Sequence, residues 1–158
     1  MRTDPINLLE IGIQNGVSLD IWGSYLPNAS LIIGCEIKQE AAQLKYSNEA
    51  INVVVGDANS DEIFQQIIKL SDSYDLIIDD GSHVSKDIIT SFARYFPLLK
   101  SGGIYIIEDL HASYWKVWGG GLAYPLSSIS FLKRLIDVIH KSIGGYQKNI
   151  HGFLIYSL

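Results

Sequence analysis

The chain has 158 residues, 47% of them hydrophobic, with a formal net charge of -5; that length suits one sizeable core, so a single domain over 1–158 is expected. Its twelve Lys and Arg residues are scattered, with no run longer than Lys133-Arg134, which argues against a nucleic-acid backbone or an anionic membrane as partner. The lone Cys35 excludes an internal disulfide and a cysteine-rich zinc site and suits a reducing cytoplasm.

The N-terminus has no apolar stretch of signal-peptide length before its first charges, and no segment approaches the roughly 18 uncharged apolar residues of a membrane span. Along the chain, short runs rich in Ile, Val and Leu recur: "NLLEIGI", "SLIIGCEI", "INVVVGDA", "YDLIIDD", "GIYIIED" and "HGFLIYSL". Each has strand length and is almost continuously apolar, as strands covered on both faces are. Helical patterns lie between them. "SDEIFQQIIKL" follows Ser60, "VSKDIITSFARYFPLLK" precedes Ser101, and "SISFLKRLIDVIHKSIGG" repeats apolar residues at helical spacing until Gly144-Gly145. The stretch from Val117 into that last helix, with Gly119-Gly120-Gly121 and Pro125, reads as a mobile loop.

Alternating strands and helices predict an α/β fold, a mainly parallel twisted sheet of about six strands with helices on both faces. Ligands of such sheets bind beyond the carboxyl ends of the strands, near the point where strand order reverses. Each of the first five apolar runs ends in acid: "EIGIQNG", "EIKQ", "GDAN", "DDGSH" and "EDLHASYW".

The first loop carries Glu10, Gly12 and Gly16 but has Gln14 at the middle glycine of a G-x-G-x-x-G fingerprint, which disfavours a pyrophosphate and a nicotinamide oxidoreductase. Glu36, ending the second run, stands where an acid accepts hydrogen bonds from ribose hydroxyls. Asp57, with the neighbouring Ala58 backbone, could hold an adenine. Adenine, ribose, a positive centre and no phosphate describe S-adenosylmethionine, although each acid could also be a solvated strand end.

Asp80 and His83 flank the turn Gly81-Ser82, and Glu108-Asp109 close the next run. Carboxylates plus water suit a hard divalent cation, Mg2+ above all; the competing reading is a capped or solvated strand end. Neighbours such as Glu108 and Asp109 face opposite sides of a regular strand, so both can be ligands only if the strand ends there. Asp79 either faces the cofactor or caps the turn. Tyr114, Trp115, Trp118 and Tyr124, beside three glycines, form either a lid that stacks on a ligand ring or ordinary apolar cover. His111, His140 and His151 have no comparable setting.

"LLEIGIQNGVSL", "GCEI", "GDAN", "YDLIIDDGSH" and "GGIYIIEDLHASYW" resemble the successive motifs of metal-dependent class I methyltransferases acting on sugar hydroxyls, the mycinamicin-type macrolide O-methyltransferases and their cephalosporin hydroxylase-like and rhamnosyl O-methyltransferase relatives. The likeness runs from about Leu8 to Trp115. It implies a Rossmann-like fold, S-adenosylmethionine contacts at Glu10, Gly12, Gly16, Glu36 and Asp57, Mg2+ ligands at Asp80, Glu108 and Asp109, and His83 as general base. The implied reaction moves a methyl group to a sugar-like hydroxyl. Compared with that family the chain lacks the N-terminal cap and a final antiparallel strand, so an unpaired sheet edge and a homo-oligomer are expected. The competing function is a catalytically idle adenosyl-binding or interaction module.

Overall fold

In a computed structural model the chain is described for residues 3–143. Five strands form one parallel sheet: β1 (Asn7–Ile11), β2 (Leu31–Glu36), β3 (Ile51–Val55), β4 (Tyr74–Asp79) and β5 (Leu99–Ile107), in the order β3-β2-β1-β4-β5. Strand order reverses between β1 and β4, as a doubly wound nucleotide-binding sheet requires. The sixth expected strand, "HGFLIYSL", and the pair Gly144-Gly145 lie outside the described residues. The described residues also form four α-helices: α1 (Val17–Tyr25), α2 (Asp61–Leu70), α3 (Ser85–Tyr95) and α4 (Ser128–Ile143). Among the described residues no helix is long and apolar enough to cross a membrane.

The described residues group into two compact units, one comprising those up to Ser82 together with Arg94–Glu108, the other His83–Ala93 and those from Asp109 on. In the first, the pleat sorts each strand's side chains onto opposite faces. Leu9, Ile11, Ile33, Cys35 and Ile77 pack with Ile63 and Ile67 of α2 and with Tyr95. Leu8, Ile32, Leu76 and Ile78 pack on the other face with Leu19 of α1. Both faces are thus covered, which is why the runs show no polar alternation.

Local signals explain the helix starts. The Ser60 hydroxyl accepts from the Ile63 N–H at 3.3 Å, Asp61 and Glu62 occupy the first turn of α2, and Lys69 its last, so cap and macrodipole agree. The helix expected through "FPLLK" stops at Tyr95, because Pro97 cannot continue it and residues 96–98 tighten into a 3-10 turn. β5 consequently begins at Leu99, earlier than the apolar run suggests. Its register jumps from Tyr74↔Leu99 to Leu76↔Ile104, with Gly102 at φ +81° supplying the irregularity. On β5, Ile104 and Ile106 remain exposed.

Candidate functional site

In the sheet unit the carboxyl ends of the strands are in register. Ile11 is level with Asp79, and Asp79 with Ile107. The Asp80 N–H donates to the Ile11 carbonyl and the Glu108 N–H to the Asp79 carbonyl, each at 2.9 Å. The ladders therefore carry one residue past β4 and β5, placing Asp80 and Glu108 on the edge where Glu10 and Glu36 lie. Gly12 has φ +85°, and a side chain there would run into the Asp80 carbonyl. The first loop can only approach the β4 loop this closely as glycine. Gly16 precedes α1 at φ +77° and its carbonyl accepts from the Tyr46 hydroxyl at 2.9 Å.

Glu36 is buried and already positioned. Its Oε2 accepts from the Gln14 N–H at 2.7 Å and its Oε1 from the Lys38 N–H at 3.0 Å. Each carboxylate oxygen keeps a further lone pair, so the side chain can still receive ligand hydroxyls. Asp57 is exposed and makes a local turn, its Oδ1 accepting from the Asn59 N–H at 2.8 Å. The Ala58 carbonyl is engaged by the buried Tyr95 hydroxyl at 2.7 Å, so any adenine contact at Ala58 must use another part of its backbone. Asp79 is buried and its Oδ1 accepts from the Gly81 N–H at 3.3 Å, a contact that caps the turn.

Glu10 is the electrostatic centre of this edge. It is only 5% exposed, and its Oε2 is buried with no hydrogen-bond partner. Burial, reinforced by the Asp80 and Glu108 carboxylates and partly opposed by the nearby Ser18 hydroxyl, pushes its pKa from 4.5 up to about 7. A buried acceptor amid like charges is costly to leave unpaired. A cationic group is the partner it lacks, which fits the sulfonium and ammonium of S-adenosylmethionine. Two further acids close enough to raise it, both hard oxygen donors, fit a divalent cation of the Mg2+ type.

The second unit holds His83 and Asp109. β5 ends at Ile107, and Asp109 adopts the left-handed region at φ +50° and ψ +33°. This is the strand end that ligation by both Glu108 and Asp109 demands. His83 is also left-handed, at φ +57°. Neither is glycine; each such conformation costs about 1–3 kcal/mol and persists where its surroundings enforce it. His83 Nε2 faces Asp109 Oδ2 at 3.8 Å, and the imidazole meets the Trp118 ring edge-on, centroids 6.1 Å apart. Trp118 is therefore part of the histidine's surroundings, while Tyr114, Trp115 and Tyr124 are exposed.

One residue escaped the sequence reading. His111 Nδ1 lies 3.7 Å from Asp109 Oδ1, and its ring packs on Trp115 at 5.1 Å. Asp109 thus stands between two imidazoles. Spacing gave no signal: residues three apart eclipse in a 3-10 turn, whereas Asp109 and His111 are two apart and Asp109 precedes the turn in the left-handed region.

A parallel sheet in this order, with carboxylates where a dinucleotide enzyme carries its glycine fingerprint, has the architecture of a Rossmann-like class I methyltransferase. Residues 9–110 match the family described as a methyltransferase domain, and the chain belongs to it. It is 34% identical to the mycinamicin VI 2''-O-methyltransferase of Micromonospora griseorubida, the match covering 98% of this chain and 43% of that protein. It is 32% identical to the 8-demethyl-8-alpha-L-rhamnosyl tetracenomycin-C 2'-O-methyltransferase of Streptomyces olivaceus, over 88% of this chain and 38% of that one. Among solved structures it resembles the MycE methyltransferase of mycinamycin biosynthesis in complex with Mg, SAH and mycinamycin VI, at a TM-score of 0.78 and 34% identity over 88% of this chain and 40% of that one. The chain spans about two fifths of the length of these relatives.

Proposed function

We propose that residues 1–158 form one cytoplasmic S-adenosylmethionine-dependent O-methyltransferase domain that methylates a hydroxyl of a sugar or glycosylated natural product, assisted by Mg2+. The observation that carries this reading is the buried, unpartnered Glu10 Oε2 at a strand edge rich in carboxylates; the sugar O-methyltransferases to which the chain is similar support it. Glu10 pairs with the cofactor's positive end, Glu36 receives the ribose hydroxyls on the oxygens that backbone N–H groups already hold, and Asp57 and Ala58 border the adenine. Gly12 and Gly16 give the loop its close approach. Asp80, Glu108 and Asp109 are the residues to hold Mg2+, which when bound supplies Lewis acidity toward an acceptor hydroxyl.

The acceptor oxygen attacks the sulfonium methyl in line, forming the O–CH3 bond as the S–CH3 bond breaks and leaving S-adenosylhomocysteine. The chain's main task in that displacement is alignment. The acceptor's proton goes to the His83 imidazole, and the Asp109 carboxylate, 3.8 Å from its Nε2, steadies the imidazolium formed. Trp118 keeps the imidazole from turning, and the exposed Tyr114, Trp115 and Tyr124 are available to stack on a sugar ring and exclude water. Exposed Ile104 and Ile106 on β5 favour a covering partner; a homo-oligomer is the proposed one, tested by sedimentation.

Calorimetric titration with S-adenosylhomocysteine, S-adenosylmethionine and NAD, each with and without Mg2+, tests the reading together with methyl transfer to glycosylated acceptors. Binding of the adenosyl ligands but not NAD, with Mg2+-dependent turnover, is expected. Binding without turnover would make the chain an idle adenosyl module, and NAD binding alone would sink both readings.

A further inference from the structure

The second unit contains a polar feature for which the reaction has no use. Ser85, Ser113 and Ser128 are all buried, at 1%, 0% and 0% exposure, yet come from three separate segments. Ser128 Oγ stands 2.5 Å from Ser113 Oγ and 3.4 Å from Ser85 Oγ. A buried hydroxyl is costly unless paired, and one hydroxyl has a donor and two acceptor sites, enough to serve two neighbours. Ser128 is the hub. It opens α4, where the preceding Ser127 hydroxyl accepts from the Ser130 N–H at 3.3 Å and fixes the helix start.

The two serines that meet this hub stand close after strained residues. Ser85 follows left-handed His83 by two positions, and Ser113 follows left-handed Asp109 by four. Ser113 is also held from its backbone side, its carbonyl accepting from the Gly121 N–H at 3.0 Å, while a side chain at Gly120 would strike that same carbonyl. Left-handed non-glycine residues persist only where neighbouring structure fixes the chain on their flanks. We infer that Ser85, Ser128 and Ser113 form a hydroxyl strut that holds the strained backbones of His83 and Asp109, and so sets the imidazole and carboxylate facing each other. These serines are positioning residues: none touches a reacting atom. The importance of the strut for methyl transfer rests on the proposed roles of His83 and Asp109, whereas its existence does not.

The test uses the whole chain and three variants, Ser128→Ala, Ser113→Ala and Ser85→Ala. NMR reads the backbone dihedrals of His83 and Asp109 from carbon shifts and amide–α-proton couplings, well below the unfolding temperature. Ser128→Ala should release both residues from the left-handed region, Ser113→Ala only Asp109, and Ser85→Ala only His83. A side chain that merely fills space would lower the melting temperature without this division. Mn2+ binding should weaken about tenfold in Ser113→Ala and Ser128→Ala and stay near wild type in Ser85→Ala. Should Ser128→Ala fail to fold, the two one-sided variants still decide. Folded variants with both dihedrals unmoved would overturn the strut. A wild-type chain that binds no Mn2+ would instead count against the metal reading, leaving the dihedral pattern to judge the strut.

Discussion

The sheet unit and the second unit present their polar side chains by different means. In the first, Glu10, Glu36 and Glu108 themselves need no unusual backbone, because parallel ladders bring successive strand ends level, although the loop that meets Glu36 turns left-handed at Gln14, φ +48°. In the second, His83 and Asp109 adopt φ values of +57° and +50° that side chains disfavour, and buried serine hydroxyls brace the segments behind them. The difference teaches that one half of the polar set is a by-product of good packing, while the other half must be held against local preference. The first half should tolerate substitution with graded losses. The second should fail sharply.

The largest effects test that sharpness. His83→Ala should cut turnover by a factor on the order of 10²–10⁴, the usual contribution of a positioned base, with S-adenosylhomocysteine affinity unchanged by calorimetry. Asp80→Ala should remove the Mg2+ dependence of the rate together with the rate itself. A His83→Ala chain of full activity would sink the base assignment and with it the contrast between the two regions.

Next comes Glu10, where the sheet unit has its own cost. Its carboxyl is raised from 4.5 to about 7 in the folded chain, so stability is fully present below about 4.5 and is lost as pH rises through about 7, where the folded state must carry a buried charge. That difference is worth roughly 3 kcal/mol. Metal-free and ligand-free, the wild-type melting temperature should fall across this range while Glu10→Gln stays flat and overtakes it above pH 7. A wild-type curve as flat as the variant's would remove Glu10 as the electrostatic centre. Glu36→Ala is expected to weaken S-adenosylhomocysteine about 10- to 100-fold, the value of one or two charge-assisted hydrogen bonds, with no change in Mn2+ affinity.

How far the sequence could be read follows the same division. Glu10, Glu36 and Asp80 were legible because continuous Ile, Val and Leu runs announce parallel strands, and parallel strands put the residues after each run on one edge. The early start of β5 was not, since the register jump at Gly102 interrupts its apolar pattern. Nor did the sequence announce left-handed backbone at His83 and Asp109: Asp and His adopt it more often than most side chains, yet still so rarely that residue type alone does not signal it. Ser113 and Ser128 sit in "HASYW", whose aromatics read as a lid or apolar cover, and in "SSISF", a helix start; only tertiary packing makes these serines interior. His111 was passed over for a related reason: it meets Asp109 just after the left-handed break that ends the strand pattern, which the sequence does not signal.

The smallest expected effect isolates the two regions from each other. Ser60 caps α2 in the sheet unit through the Ile63 N–H, and replacing such a cap by alanine costs about 1 kcal/mol. Its hydroxyl is engaged with the Asp57 carbonyl as well, at 2.8 Å, so the loss falls on the helix start and the loop that bears Asp57. Ser60→Ala should therefore lower the melting temperature slightly, weaken the adenosyl ligand no more than a few-fold by loosening Asp57, and leave the His83 and Asp109 dihedrals where they are. Ser128→Ala removes the same chemical group from a buried hub and should move both. If the two serine variants produced the same dihedral response, the strained pair would be sensitive to stability in general, and the separation between the register-built unit and the braced one would fail.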